Sequence, residues 1–223
     1  SLGIWVGTGS RHEKASESGA AHFIEHMVFK GTGRRTAAQI AELTDAIGGQ
    51  INAYTTKELT CFYARALDIH LEQALDILCD MVFCSRFDEG DVGTERGVIL
   101  EEIGMYQDTP DDLCSERLFG AVYKGSPLSR PILGTPSTLG KFTGEFLRDY
   151  QKTHYCARDM VVSLAGSFTP GILDSLRERF LHLPPVCEKS FKPARYTPAV
   201  TVKRKPIEQN HLTLAVPGLP YDS

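Results

Sequence analysis

Apolar side chains at Leu2, Ile4 and Val6 alternate along the first residues as they do in a half-buried strand. Gly7 and Gly9 then supply a turn, and residues 18–30 have the length and composition of a helix. Thr36 followed by Gln39 is a capping box, and Gly48-Gly49 provides the stop for a helix over 37–47. Residues 50–56 and 59–67 are rich in β-branched and aromatic side chains and flank Lys57-Glu58, so a hairpin is the simplest arrangement. Helices follow over 69–83 and 91–106, and a third is opened by Thr109 with Pro110 in its first position. Beyond a loop at 127–135 come a helix over 143–154, a nearly continuous apolar strand over 160–165 and an amphipathic helix over 170–181.

Pro184, Pro185, Pro193, Pro198 and Pro206 mark a linker, with one strand expected near 199–202 and another over 211–216. The first strand is under way without a methionine, and the chain stops at Asp222-Ser223 just after an apolar segment, so a piece of a longer protein is expected. With 223 residues, 42% of them hydrophobic and 23% charged, the chain can bury a sizeable core, as one large domain or one domain plus a fragment.

Charge and cysteine usage narrow the function classes. A net charge of -4, with Lys and Arg scattered apart from Lys203-Arg204-Lys205, gives no footprint for nucleic acid. No apolar run approaches the ~20 residues of a membrane span and no basic-then-apolar stretch stands before the first strand, so nothing membrane-embedded is expected in these residues. Cys61, Cys79, Cys84, Cys114, Cys156 and Cys187 form no CxxC pair and mostly occupy apolar patterns. Reduced thiols in a cytoplasmic protein are therefore expected. Gly7, Gly9 and the turn from Gly31 to Gly33 match no phosphate-loop spacing, and turn chemistry accounts for them.

One helix carries the chemistry. His22 and His26 are offset by about 40° and roughly 6 Å along a helix, so both imidazoles can converge on one ion, and Glu25 projects to the same side. Ala20, Ala21, Phe23, Ile24, Met27, Val28 and Phe29 leave this helix no solvent face, so it should be buried. A lone histidine on such a face would be an ordinary hydrogen-bonded core residue. The pattern HxxEH is instead the inverted zinc-peptidase signature.

Zinc in a catalytic site needs a third protein donor. On the helix over 91–106, an apolar arc made by Val98, Ile99, Leu100, Ile103, Met105 and Tyr106 also contains Glu95 and Glu102, whereas Glu101 lies at its edge and is expected in solvent. A carboxylate on a buried face is costly unless it binds a cation or accepts hydrogen bonds. Glu95 and Glu102 stand about 10.5 Å apart along the axis, so one should ligate while the other orients a histidine from behind. Spacing does not say which.

Four stretches resemble the inverzincins, the family of pitrilysin, insulin-degrading enzyme (insulinase) and the processing peptidases: HFIEHMVFKGT from His22, IGGQINAYTTKELT from Ile47, ERGVILEE from Glu95, and residues 208–217. The likeness is closest to the bacterial, processing-peptidase-like branch. It implies zinc held by His22, His26 and Glu102, Glu25 as catalytic base, and Glu95 as the acid behind a ligand. It also implies an edge strand at Asn52, Ala53 and Tyr54 that binds substrate backbone, and an apolar pocket lined by Phe29. The fold implied is α+β and two-layered, a largely antiparallel sheet with helices packed mostly on one face. Residues 1–183 would form the zinc-peptidase unit, 184–200 the Pro-rich linker with its strand, and 201–223 the start of a second, homologous unit.

The function implied is a zinc metalloendopeptidase acting on extended peptides or unfolded segments, completed by a second homologous half and a homo- or heterodimeric partner. An isolated chain of this extent is expected to be weakly active or inactive. The alternative is a non-catalytic, peptide-binding subunit of the same fold, although such chains usually break the HxxEH pattern.

Overall fold

Four strands, β1 (Leu2–Val6), β2 (Gln50–Thr55), β3 (Thr60–Arg65) and β4 (Met160–Leu164), form one antiparallel sheet in the order β2-β3-β1-β4. The computed structural model describes residues 1–187 and 193–219. The period-two pattern explains the layering. Leu2, Ile4 and Val6 share a face with Phe62, Ala64, Val162 and Ala53, as the pairings Ile4↔Phe62, Ile4↔Val162 and Ala53↔Phe62 require. That face meets the helices and forms the core with Phe23, Ile24, Leu75 and Leu78. The other face carries Trp5 in an edge-on contact with Tyr54, ring centroids 6.2 Å apart. Both are paired with Cys61 on β3, whose small side chain lets the rings meet across it.

The helices are α1 (Ala20–Met27), α2 (Ala37–Ala46), α3 (Leu71–Cys84), α4 (Glu89–Asp108), α5 (Pro110–Val122), α6 (Pro136–Leu139), α7 (Gly144–His154) and α8 (Gly171–Phe180). The Thr36–Gln39 capping box is formed, and Gly48 takes the left-handed conformation expected past a helix end. The short α6 was not foreseen. Thr135 caps it and Pro136 opens it, the same Thr-Pro signal that marks α5.

α1 is the most deeply set helix, as its composition requires, with Ala20, Ala21, Phe23, Ile24 and Met27 all buried. Gly19 precedes it at φ 98° and has no side chain to cap it. A Cβ on Gly19 would stand 2.9 Å from the Cα of Gly134, so the loop after Pro131 packs backbone to backbone against the start of α1. The cap comes from Glu13, a buried carboxyl that accepts the amides of Gly19 and Ala21, both at 2.9 Å.

Burial pushes the Glu13 carboxyl up to about 8, against those two amide bonds and Arg130, which pull it down. The folded state thus keeps a proton that an unfolded chain releases above the ordinary 4.5. The stability so contributed is full below that value and is lost as pH rises through about 8. The expected result is a urea midpoint that falls across this window, and falls less in Glu13→Gln; equal falls in both would remove Glu13 as the source.

Three expectations are corrected. Cys156 and Cys187 form a disulfide, with Cα atoms 5.6 Å apart, while Cys61, Cys79, Cys84 and Cys114 are free. The cause is tertiary: Ala157 and Arg158 donate to the carbonyls of Pro184 and Pro185 at 2.9 and 3.2 Å, which lays the segment after α8 beside the start of β4. The segments 199–202 and 211–216 are not strands. No sheet edge receives them among the described residues, and a strand without a partner is not stable alone. Val200, Leu212, Leu214 and Val216 are exposed there, and residues 220–223, including Asp222 and Ser223, lie outside the described residues. Finally, the apolar arc of α4 is only partly covered: Val98, Leu100, Met105 and Tyr106 are exposed. The buried stripe is narrower, running Val92, Glu95, Ile99, because α4 touches its neighbours along one edge.

Candidate metal centre

α1 and α4 pack side by side, and the sheet edge at β2 runs against α1. This brings together all the metal-site residues read from the sequence. His22 Nε2 lies 3.7 Å from Glu102 Oε2, His26 Nε2 lies 3.6 Å from the same oxygen, and the two rings are 4.7 Å apart. One donor atom from each of His22, His26 and Glu102 falls within 4.8 Å of the others. Glu95 is 2% exposed and sits behind His26, with its Oε2 3.1 Å from Nδ1. Geometry thus separates the two acids that spacing left equal. Glu101, as expected, is exposed.

The electrostatics follow from burial and from these pairs. Burial and the neighbouring His26 pull His22 down to about 4, so its ring is neutral at pH 7 and has a lone pair to offer. For His26 burial opposes protonation, but Glu102 and Glu95 outweigh it and the net shift is upward, so a proton competes with a metal ion for that ring. Glu102 is held below the usual carboxylate range by His26 in the first place, against burial, and stays ionised. Two imidazoles and one carboxylate are a donor set that suits zinc with an open fourth position.

Glu25 is half-buried on the same helix, beside Thr55 at the end of β2. Burial raises its pKa, although Thr55 pulls the other way. Its Oε2 is buried with no hydrogen-bond partner among the described residues. The donor set and this unengaged oxygen fit a metal-assisted hydrolytic centre.

The residues read as substrate-binding are split. Asn52, Ala53 and Tyr54 lie on β2, which among the described residues pairs only with β3 and forms an outer edge of the sheet. Asn52 Oδ1 accepts from the amide of Ala53 at 2.8 Å. Phe29 follows α1, half-buried and packed against the core. Two contributors escaped the sequence reading: Glu13, which caps α1, and Lys30, whose Nζ lies 2.6 Å from Glu95 Oε1. Neither sits in an apolar periodicity that would have flagged it.

Two imidazoles and a carboxylate converging from two helices over an antiparallel sheet, beside a carboxyl with one unengaged oxygen, make a donor set of the class that suits a divalent ion. The insulinase (Peptidase family M16) model matches residues 1–136, and the chain belongs to that family. A second model, the peptidase M16 inactive domain, matches residues 141–223.

An "Uncharacterized zinc protease YmxG" of Bacillus subtilis is 44% identical over 98% of this chain and 54% of its own length. An uncharacterized zinc protease of Rickettsia felis is 44% identical over 96% of this chain and 52% of its own. The chain thus spans about half the length of these relatives. Among solved structures, the periplasmic protease PqqL of Escherichia coli superposes with a TM-score of 0.75 at 26% identity, over 87% of this chain and 22% of that one. A protease from Helicobacter pylori gives 0.76 at 22% identity, over 86% and 47%, and speaks for the fold alone. No helix among the described residues is long and apolar enough to cross a membrane.

Proposed function

We propose that this chain is the metal-bearing half of a zinc-dependent endopeptidase that cleaves extended peptides or unfolded segments. The observation that carries the reading is the convergence of His22, His26 and Glu102 within 4.8 Å, with the unengaged Oε2 of Glu25 on the same helix. His22, His26 and Glu102 would hold the ion, and Glu95 keeps the His26 ring turned toward it. When bound, zinc supplies Lewis acidity that polarises a peptide carbonyl and acidifies a water molecule. Glu25 takes the proton of the attacking water and returns it to the leaving amine, a task suited to a carboxyl whose pKa burial has raised.

Substrate lies along β2. The strand is an edge, so an extended peptide adds to it through main-chain hydrogen bonds at Asn52, Ala53 and Tyr54, which gives affinity with little sequence preference. Phe29 lines an apolar pocket near the reacting bond. A second homologous half, and a homo- or heterodimeric partner, closes the chamber from the other side. The four free thiols support the cytoplasm as its location, and the Cys156–Cys187 bond weighs against it. All three ligand positions and the base are present, so the non-catalytic reading has no lost residue to rest on.

The test is metal removal from the protein at its full natural length. One zinc per chain, peptide turnover abolished by a chelator and recovery on adding zinc are expected. Turnover that survives complete stripping would overturn the reading.

A further inference from the structure

We infer that Lys30 is a positioning residue for the metal centre, acting through Glu95 on the ring of His26. The inference rests on the zinc reading above and extends it by one residue. Lys30 lies just beyond the end of α1, and its Nζ is 2.6 Å from Glu95 Oε1. The other oxygen of the same carboxylate, Oε2, is 3.1 Å from His26 Nδ1. The Glu95 side chain is 3% exposed, whereas Lys30 is 37% exposed and reaches in from the rim of the site.

The last torsion of a glutamate is broad and roughly two-fold, so a partner on each oxygen is what fixes the plane of the carboxylate. Lys30 takes Oε1 and thereby leaves Oε2 aimed at Nδ1. An acceptor at Nδ1 fixes the proton on that nitrogen and turns the Nε2 lone pair toward His22 and Glu102. His22 offers the contrast, since its Nδ1 is buried with no partner among the described residues. Of the two histidine ligands, His26 is the one locked from behind, and the lock has two parts.

The experiment compares wild type, Lys30→Met and Lys30→Arg in the full-length protein. Competition with a chromophoric chelator measures the affinity for zinc alone. Nitrogen NMR of the metal-free protein, recorded at a pH above the end of the ring's own titration, reads which nitrogen of His26 carries the proton. Lys30→Met is expected to weaken zinc by about 10 to 100-fold and to lose the single Nδ1–H tautomer, while Lys30→Arg restores both. Unchanged zinc affinity and an unchanged tautomer in Lys30→Met would overturn the inference, and so would a wild-type ring protonated on Nε2. If Lys30→Met does not fold, Lys30→Ala takes its place in both measurements, with the same results expected and the same results overturning the inference. If wild type itself binds no zinc, the hydrolase reading fails, while the tautomer, measured without metal, still reports on Lys30.

Discussion

Glu25→Gln is expected to leave zinc content unchanged and to lower peptide turnover by about 10²- to 10⁴-fold, the usual contribution of a general base. The amide keeps the size of the carboxylate but cannot accept the proton of an attacking water. Zinc should stay because the three converging donors belong to His22, His26 and Glu102, and Glu25 is not among them. Metal analysis together with hydrolysis of an unstructured peptide by the full-length protein checks both halves. Turnover within tenfold of wild type would remove Glu25 from its role, whereas loss of zinc would make it a ligand.

The second large effect separates the two acids of α4. Glu102→Ala and His26→Leu each leave two donors, too few to hold zinc against water, and the ion should be lost on dialysis. Glu95→Ala keeps all three donors and frees only the back of the His26 ring, so affinity should drop by about 10 to 100-fold without disappearing. Metal stoichiometry and a competition titration on the three variants decide the matter. Equal loss in all three would mean that Glu95 is itself a ligand or that α4 has come away from α1.

The parts of this site that repeat locally were legible in the sequence. The HxxEH helix, its all-round burial, the hairpin at β2 and β3, and the presence of Glu95 and Glu102 on one face of α4 all follow from helix and strand periodicity. Which acid ligates was not in the spacing, since both lie on the same stripe. That depends on the height at which α4 crosses α1, a packing property that puts Glu95 at Nδ1 and Glu102 at Nε2 of His26. Glu13 and Cys187 were missed for a related reason. Each is brought to its partner by a fold-level contact, Glu13 from a loop to the start of α1 and Cys187 from 31 residues away. The apolar segments 199–202 and 211–216 failed in the opposite direction. Their local pattern favours strands, but no neighbouring edge receives them among the described residues.

Trp5 is the only tryptophan in the sequence, and it rests edge-on against Tyr54. Its indole nitrogen is already tethered to Ser163 at 3.0 Å, which keeps the ring from wandering. The chromophore is therefore linked to the rim strand through an aromatic contact. A chain docking along that rim is expected to disturb Tyr54 and with it the emission of the indole, a gauge of occupancy readable without a label and without bond cleavage.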